Sequence, residues 1–208
     1  FKSWFIDFDK ATEFEDSELG KIPKGWKVGN LGNICEIVMG SSPPGDSYNE
    51  EGDGIIFFQG KTDFGDFFPT PRMYCSMPKR FAEKNDVLFT VRAPVGSINV
   101  AKEKYCIGRG LASLRLKENH GCFLYFFLKD LEGKWNEFEA DGTVFGSINK
   151  DDLSEFKLAI SPIELRTKFN NIIKPIYNLI WENNLNYQSL TQTRDALLPK
   201  LMSGEIRV

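Results

Sequence analysis

The sequence of 208 residues has very little histidine and little cysteine, which limits the metal chemistry open to it. Its one histidine is His120, and its four cysteines, Cys35, Cys75, Cys106 and Cys122, form no CxxC pair. Zinc sites are built from cysteine and histidine ligands at short, regular spacings. We therefore expect no metal site in this chain.

The sequence also lacks the motifs of common cofactor-dependent enzymes. It has no Walker loop and no glycine-rich cofactor loop after a strand. An adenine methyltransferase carries an Asn- or Asp-Pro-Pro-aromatic element, whereas the diproline here stands in Ser42-Pro43-Pro44-Gly45. The single histidine has no paired nucleophile and base around it. We therefore predict no catalytic residues and no bound cofactor.

Long apolar runs are absent as well. No run reaches the roughly 18 residues that a membrane helix requires, and the start, residues 1–9, is interrupted by charges and does not resemble a signal peptide. Free thiols suit a reducing compartment, so the sequence predicts a cytoplasmic protein without membrane contact. Because no initiator methionine is present, we expect a fragment of a longer chain.

Charge is distributed unevenly along the chain. The formal net charge is -3, with 26 Lys and Arg against 29 Asp and Glu. Residues 79–117, in contrast, contain nine basic residues against three acids, a local excess of six positive charges, while both flanking stretches are acidic. This segment is a candidate anion-binding surface that the average composition hides.

Between residues 20 and 160 the pattern predicts an irregular α+β domain. Short apolar segments separated by Gly, Pro and Asp predict strands, and the clearest helical stretch runs over 121–138. Most of the 18 phenylalanines are expected in the core. The predicted strands are 54–58, 87–92, 96–101, 111–116 and 156–160.

The last quarter predicts one long helix from Pro162 to Leu198, with Ser161 as its cap. Pro175 predicts a kink, or a division into two helices. Apolar residues recur at alternating four- and three-residue steps, the spacing of a coiled-coil seam, and we expect the helix to pair as an antiparallel coiled coil. The apolar seam positions are Leu165, Phe169, Ile172, Ile176, Leu179, Leu190 and Leu197.

Two further features of this helix bear on its partners. Asn183, Asn186 and Thr193 interrupt the seam, and they either fix its register or mark a solvent-facing half. A second row lies beside the first and makes the apolar stripe wider than a two-stranded coiled coil needs, so that it suits two partners. The second row comprises Ile173, Tyr177, Ile180 and Tyr187.

Several polar loops are candidates for a ligand surface. The loop 39–47 offers free N–H groups and hydroxyls suited to phosphate oxygens. Gln59 and Lys61 follow a predicted strand directly and suit base or phosphate contacts, with an ordinary polar turn as the alternative. The loop 142–150 suits a sugar-phosphate backbone, or else contains a hairpin or a helix cap at Asn149.

In the order in which they occur, five segments make the chain resemble the specificity (S) subunit of type I restriction-modification systems. The resemblance spans nearly the whole chain. The segments are Ile22-Pro23-Lys24-Gly25-Trp26, Met39-Gly40-Ser41-Ser42-Pro43-Pro44, Gly54-Ile55-Ile56-Phe57-Phe58-Gln59-Gly60-Lys61, Asp86-Val87-Leu88-Phe89-Thr90-Val91-Arg92-Ala93-Pro94-Val95-Gly96 and Leu197-Leu198-Pro199-Lys200-Leu201-Met202-Ser203-Gly204-Glu205-Ile206.

The resemblance implies an organisation and a set of partners. Such a subunit carries two recognition domains in inverted orientation, joined by two antiparallel helices that act as a ruler and dock methyltransferase (M) subunits, and restriction (R) subunits join that core. S-adenosylmethionine, ATP and Mg are then expected only in the partner subunits. This chain would be one C-terminal half: residues 1–19 the tail of a preceding spacer, 20–160 the DNA recognition domain and 161–208 the helical spacer. Alone, it is expected to form a homodimer.

One departure from the family pattern lies at the entry to the helix. The family carries Pro-x-x-Glu-Gln there, whereas this chain has Pro162-Ile163-Glu164-Leu165-Arg166. Two other interpretations stay open. The chain is either a coiled-coil module whose globular domain binds protein instead of double-stranded DNA, or, less well supported, an intact DNA-modifying enzyme.

Because recognition residues vary most between such proteins, the DNA contacts are predicted from physical chemistry alone. Basic side chains position the domain on phosphates, and a few loop side chains specify bases. We expect replacement of Lys102 and Lys104 to weaken binding to all duplexes alike. The predicted contacts are Gln59, Lys61, Lys79, Arg80, Arg92, Lys102, Lys104, Arg109, Ser147 and Lys150.

Overall fold

The computed structural model describes residues 1–138 and 146–206. The chain divides into two compact units, one over Phe1–Asn170 and the other from Asn171 onward. The first unit therefore includes both residues 1–19 and the first turns of the last helix, whereas the sequence predicted boundaries at 19 and 160.

The described helices and strands follow one another in a mixed order. The helices are α1 (Lys2–Phe5), α2 (Leu31–Ile34), α3 (Gly121–Asp130), α4 (Lys150–Glu155) and α5 (Ile163–Met202). The strands are β1 (Phe14–Ser17), β2 (Gly20–Pro23), β3 (Lys27–Asn30), β4 (Cys35–Met39), β5 (Tyr48–Asn49), β6 (Ile55–Phe58), β7 (Met73–Cys75), β8 (Phe81–Ala82), β9 (Val87–Thr90), β10 (Ile98–Val100), β11 (Tyr105–Ile107), β12 (Leu111–Leu116) and β13 (Lys157–Ile160).

A four-stranded antiparallel sheet, in the order β10-β9-β12-β4, lies at the centre of the globular unit. Its register pairs Leu111 with Thr90 and Ala112 with Met39. All four residues of β9 and five of the six in β12 are buried, because α3 packs against both strands and against β10. These strands read as continuous apolar runs, as strands covered on both faces do.

A five-stranded sheet, in the order β5-β7-β6-β11-β8, adjoins the first. Its one parallel pair joins β6 to β11, with Phe58 opposite Ile107. The two sheets share a core in which Phe58, Ile107 and Leu111 are fully buried with Leu88. The parallel pair places the carboxyl ends of β6 and β11 on the same edge.

The amino-terminal segment packs into an aromatic cluster. Phe5 contacts Trp26, Phe123 and Phe169 with ring centroids 6.1, 4.9 and 5.4 Å away, and Phe1 lies 5.6 Å from Phe169. Phe169 is therefore buried inside the globular unit, which corrects its assignment to a helix-pairing seam. Leu165 likewise lines a cavity of this unit instead of an exposed seam.

Helix α5 is continuous over Ile163–Met202, so Pro175 does not divide it. It begins one residue after Pro162, whose carbonyl oxygen accepts from the N–H groups of Leu165 and Arg166. Ser161 does not cap it, because its buried Oγ has no hydrogen-bond partner among the described residues. The first turn is stabilised instead by Arg166, whose guanidinium donates hydrogen bonds to the Ser161 carbonyl oxygen and to the Glu118 carboxylate.

The five predicted strands are confirmed, with ends that differ by up to two residues. The predicted helix over 121–138 is only partly correct, since α3 ends at Asp130 and a 3-10 helix follows over Glu132–Phe138. Gly133 lies in this second segment, and glycine favours helix less than other ordinary residues do. Strands β1 to β5, β7, β8 and β11 were missed, and four of them, β5, β7, β8 and β11, have only two or three residues, too few to show a period.

In the second unit, α5 exposes an apolar face. The seam residues Ile172, Ile176, Leu179, Leu190 and Leu197 are between 43% and 70% exposed. Among residues 171–206 of this second unit, α5 is the one helix described. None of the helices in the described ranges has the length and apolarity to cross a bilayer.

Candidate nucleic-acid interface

Strand direction brings eight of the ten predicted contact residues to one edge of the two sheets. The carboxyl ends of β6, β11 and β9 and the beginning of β8 all lie there. We call this surface the basic edge. Its members are Gln59, Lys61, Lys79, Arg80, Arg92, Arg109, Ser147 and Lys150.

A network of backbone hydrogen bonds ties the loops of the basic edge to one another. Val91 donates to Gly110 and accepts from Ile148, both at 3.0 Å, and Arg92 forms an isolated bridge with Ser147. These bonds bring segments distant in sequence together and fix their backbones. The edge is therefore preorganised.

The same network extends to the loops that follow β4 and β11. Ser41 donates to the carbonyl oxygen of Ile107, and Ile107 donates to that of Arg80, both at 3.0 Å. The basic segments are consequently held at fixed positions along the edge.

Glycines allow these loops to approach closely. A Cβ at Gly40 would collide with the carbonyl oxygen of Gly108, and one at Gly110 would collide with that of Gln59. Only glycine fits such backbone contacts without displacing a strand end. The glycines on either side of Arg109 thus bring its loop against the one that carries Gln59.

Arg109 and the loop after β4 form one polar group. The Arg109 Nε donates to Ser42 Oγ at 3.1 Å, and Tyr48 Oη donates to the carbonyl oxygen of Pro43 at 2.9 Å. Burial raises the pKa of the Tyr48 phenol, so this group stays a neutral donor at physiological pH. Ser42 belonged to a loop that the sequence marked only weakly, and Tyr48 was missed because no short-range pattern places it near Arg109.

Two cavities lie along the basic edge and share Met39. One, of about 300 Å³, is lined by Arg92, Arg109 and Ser147. The other, of about 500 Å³, runs along β4 from Met39 to Cys35 and is lined by Arg80 and Lys150 and also by Glu36. The pairs of cations in each cavity come from different parts of the sequence.

Asn149 sets the start of α4 at this edge. Its side-chain oxygen accepts from the N–H groups of Asp151 and Asp152 at 2.8 and 2.9 Å. The helix-cap interpretation of Asn149 is therefore confirmed. Residues 142–145 of the same predicted loop lie outside the described residues.

The cations of the basic edge are available to a ligand. Among the side chains that the structure describes, no carboxylate lies within 4.0 Å of their side-chain nitrogens, and all five of the cations listed next are exposed. They are Lys61, Arg80, Arg92, Arg109 and Lys150.

At the opposite edge of the sheets most cations bind groups of the protein itself, whereas Lys84 is exposed and forms no ion pair with the described residues. Asp86, which is 1% exposed, accepts from Arg115 Nε and Nη2 at 2.6 and 2.8 Å and from Ser113 Oγ at 2.5 Å. Lys117 Nζ donates to the carbonyl oxygen of Asn33 at 2.7 Å. We call this surface the paired edge, and its members are Glu83, Asp86, Lys102, Lys104, Arg115 and Lys117.

Two of the predicted DNA contacts lie on the paired edge. Lys104 forms an ion pair with Glu83 at 2.8 Å. Lys102 is only 8% exposed, and its ammonium lies 4.3 Å from the centroid of the Phe68 ring. Burial lowers the pKa of Lys102 to about 8. The structure therefore does not support a phosphate-binding role for Lys102, since a phosphate ligand needs an accessible ammonium.

The chemistry of the basic edge is that of anion recognition. Guanidinium and ammonium groups contact phosphates, while amide and hydroxyl groups such as those of Gln59 and Ser147 can read base edges. Among the described residues, no group of three or more His, Cys, Asp or Glu is arranged to hold a metal ion. This chemistry is of the kind that suits a nucleic-acid backbone, carried on an α+β domain that a long helix follows in the chain.

Comparison with known proteins identifies the family. Residues 23–188 match the family model described as "Type I restriction modification DNA specificity domain". The chain therefore belongs to the family of type I restriction-modification DNA specificity domains. This confirms the resemblance drawn from the motifs, including the α+β domain followed by a long helix.

Relatives of known name agree with this placement. In Methanocaldococcus jannaschii, the specificity subunit assigned to the type I restriction enzyme MjaX is 37% identical over 199 residues, which cover 94% of this chain and 47% of that protein. The specificity subunit of the MjaIX enzyme is 31% identical over 227 residues, covering 100% of this chain and 51% of the relative.

Solved structures show the same fold. The HsdS subunit from Thermoanaerobacter tengcongensis superposes with a TM-score of 0.65 at 36% identity, covering 93% of this chain and 48% of that subunit. A chain from a study of complex assembly and conformational transition of the type I R-M system gives a TM-score of 0.67 at 37% identity, covering 93% and 49%. The chain thus spans about half the length of the relatives it matches.

Proposed function

We propose that this chain recognises one part of a bipartite DNA target for a type I restriction-modification complex. The observation that carries the proposal is the basic edge, where exposed cations from five separate segments lie together without an ion pair to the described carboxylates. Such a surface suits the phosphate backbone, which supplies most of the sequence-independent binding energy.

Within the basic edge we assign two kinds of role. Arg80, Arg92, Arg109 and Lys150 contact phosphates, since each lines one of the two cavities. Gln59 lies at the tip of β6 and is exposed, which suits an amide that reads a base edge.

The rest of the complex would supply the chemistry. We propose that M subunits, with S-adenosylmethionine, carry out methylation, and that R subunits carry out the ATP- and Mg-dependent reactions. This chain would be non-catalytic and cytoplasmic, and α5 would dock M subunits and keep two recognition domains apart.

The test of DNA recognition compares the two edges. We would assemble the chain with M subunits and measure affinity for a mixed-sequence duplex over a series of salt concentrations. The double variant Arg92→Ala and Arg109→Ala should reduce the slope of log affinity against log salt by about two, because about 0.9 counterions are released per phosphate contact. The control, Lys104→Ala on the paired edge, should leave the slope unchanged.

Two results would contradict this assignment. Equal slopes for the double variant and the wild type would remove the basic edge from the DNA contact. A reduced slope for Lys104→Ala alone would move the contact to the paired edge.

One observation favours the second interpretation, a protein-binding assembly module. Helix α5 exposes many large apolar side chains, and exposed apolar surfaces of this kind often mark a protein-protein contact. If the assembled chain shows no salt-dependent DNA affinity at all, assembly alone becomes the preferred function.

A further inference from the structure

We propose that Arg72, oriented by the carboxylate of Asp63, recognises a guanine base at the basic edge. The inference rests on the proposed function, because it assigns a specificity-determining residue to the same DNA-binding surface. Arg72 was not among the contacts predicted from the sequence. It adds a reader of sequence to an edge whose other arginines are assigned to phosphates.

Strand pairing places Arg72 at the basic edge. Met73, the first residue of β7, pairs with Phe57 near the carboxyl end of β6. Arg72 precedes Met73 and therefore lies at the end of the sheet from which Gln59 emerges. A 3-10 helix over Lys61–Asp63 follows Gln59 directly. The two arms of the segment 59–72 consequently meet at this edge.

The two arms are bonded to each other at this point. Thr70 donates its N–H to the carbonyl oxygen of Asp63 at 2.8 Å, and Phe64 forms an isolated bridge with Pro69. These contacts join residues on either side of the segment, as a short pair of strands would. The backbone that carries Asp63 is therefore fixed relative to the arm that leads to Arg72.

Asn99 anchors the far end of the same segment to β10. Its side chain accepts from the N–H of Gly65 at 3.0 Å and donates to the Gly65 carbonyl oxygen at 2.8 Å. Val100 donates to the carbonyl oxygen of Phe67 at 2.8 Å. Asn99 is 1% exposed, so these bonds are shielded from water. A segment held in this way does not lose further conformational freedom on binding, a loss that weakens mobile recognition loops.

Asp63 and Arg72 form an unequal ion pair. Arg72 Nε donates to Asp63 Oδ1 at 3.0 Å, and the two side chains are 57% exposed for Arg72 and 10% exposed for Asp63. Ion pairs with an exposed partner contribute little to stability. Because the carboxylate is nearly buried on a fixed backbone, its main effect is to hold the exposed guanidinium in one orientation.

The outward side of this guanidinium matches a guanine base. Among the described residues, the terminal nitrogens Nη1 and Nη2 of Arg72 make no hydrogen bond. They carry parallel N–H donors in one plane. Such a pair fits the O6 and N7 acceptors of guanine in the major groove, which is the commonest specific contact of arginine with DNA.

The surroundings of Arg72 favour a base over a phosphate. The hydrogen bond to Asp63 raises the pKa of Arg72, and the negative charges of Asp63 and Glu50 act in the same direction. Those carboxylates repel a phosphate anion, whereas guanine O6 and N7 are neutral acceptors. Arg80, at the same edge, forms no ion pair with the described carboxylates and suits a phosphate.

Selection of DNA sequences by the chain assembled with M subunits tests this assignment. The probe is a pool of duplexes with a randomised segment, and the bound duplexes are sequenced. The wild type should select a motif that contains a dG. Arg72→Lys keeps the charge but loses the planar pair of donors, so it should lower the preference for that dG about tenfold. Replacement of the same dG by 7-deazaguanine, which lacks N7, should weaken binding of the wild type and not of the variant.

Asp63→Ala separates orientation from charge. The variant releases the guanidinium and removes a negative charge from the edge, so the preference for dG should fall severalfold while affinity for duplexes without the motif rises. Arg80→Lys is the matched control and should keep the preference, because an ammonium also binds phosphate. Circular dichroism checks that each of these surface variants is folded.

The outcomes distinguish this inference from the proposed function. An Arg72→Lys protein with the wild-type preference would overturn guanine recognition, and so would a selected motif without dG. If Arg72→Ala reduces the salt slope by about 0.9 and keeps the preference, Arg72 is a phosphate contact instead. All three results still leave salt-dependent DNA binding in place. A wild-type complex without such binding would remove the proposed function, and the inference with it.

Discussion

The basic edge and the paired edge draw most of their cations from one stretch of sequence, residues 79–117, and use them in opposite ways. At the basic edge, Arg92 and Arg109 lie in exposed loops and face a shared cavity. At the paired edge, Arg115 is bound to a buried carboxylate, and Lys104 to Glu83. Similar residues stay exposed and unpaired with described carboxylates at one end of the strands and form ion pairs within the protein at the other.

This difference shows that a basic segment in a sequence is not one surface. The chain reverses direction between β9 and β10 and again between β11 and β12, so cations a few residues apart emerge at opposite ends. Whether a cation is free for DNA depends on the carboxylates that the fold brings to the same end. The following variants test that distinction, from the largest expected effect to the smallest.

The largest effect is expected at Asp86, because its carboxylate holds the paired edge together. Asp86→Ala leaves Arg115 with only Glu36, at 3.8 Å, and removes the acceptor of Ser113. We expect the free energy of unfolding to fall by about 3 kcal/mol, the usual cost of breaking a buried pair. Urea denaturation of the variant measures it.

The control for Asp86 is Asp46→Asn, an exposed acid whose side chain has no described hydrogen bond. This variant should be within about 0.5 kcal/mol of the wild type, as surface substitutions usually are. An Asp86→Ala protein of unchanged stability would show that the paired edge does not depend on its ion pair.

Replacement of Lys102 is expected to have a smaller effect, and to raise the free energy of unfolding instead of lowering it. Below pH 8 its ammonium is protonated both in the folded and in the unfolded chain, and the full cost of its burial is present. Between about pH 8 and 10.4 the unfolded chain binds more protons, so stability should rise with pH. Lys102→Met should raise the free energy of unfolding at pH 7 on the order of 1 kcal/mol and abolish that rise.

Denaturation curves between pH 7 and pH 10 provide the measurement. Lys104→Met is the matched control, since its ammonium is half exposed and paired with Glu83. That variant should keep the wild-type rise with pH. If the curves of Lys102→Met and wild type run parallel, the burial of Lys102 does not control the pH dependence.

The smallest effect is expected at the cap of α4. Asn149→Ala removes two hydrogen bonds to the first turn and should cost about 1 kcal/mol of stability. Asn149→Asp should restore most of it, and Asn178→Ala, at an exposed helix position, serves as the control. Because Lys150 and Ser147 flank the cap, a loss of DNA affinity larger than the loss of stability would link cap geometry to the basic edge.

Sequence periodicity was sufficient for part of the fold. The strands around Leu88 and Leu114 and the long last helix follow from apolar runs and heptad spacing, which depend on local geometry. The short strands β5 and β8 have two residues each, too few for any period, and exist because neighbouring strands pair with them. Phe169 shows the limit on the helix, since a seam position by spacing becomes a core residue in the aromatic cluster.

The sequence predicted which types of residue the candidate site contains, but not which individual residues lie together at one edge. Gln59 and Arg109, both predicted contacts, lie at the same edge of the sheets, and their roles in binding stay predictions. Lys102 and Lys104 had the same residue type and similar neighbours in sequence. Nothing in local spacing distinguishes them, because the partners Phe68 and Glu83 reach them only through the sheets.

The sequence by itself determined the family, the α+β class and the long helix with its seam, since motifs, apolar periods and heptads are properties of consecutive residues. Only the tertiary structure decided which cations face outward, because that depends on strand direction and on carboxylates brought from elsewhere. Eight predicted contacts meet at one edge, whose loops are joined by backbone bonds, while Lys102 is buried and Lys104 is paired with Glu83 at the opposite edge. The physical reason is that pairing between strands, and not position in the chain, sets which charges share a surface.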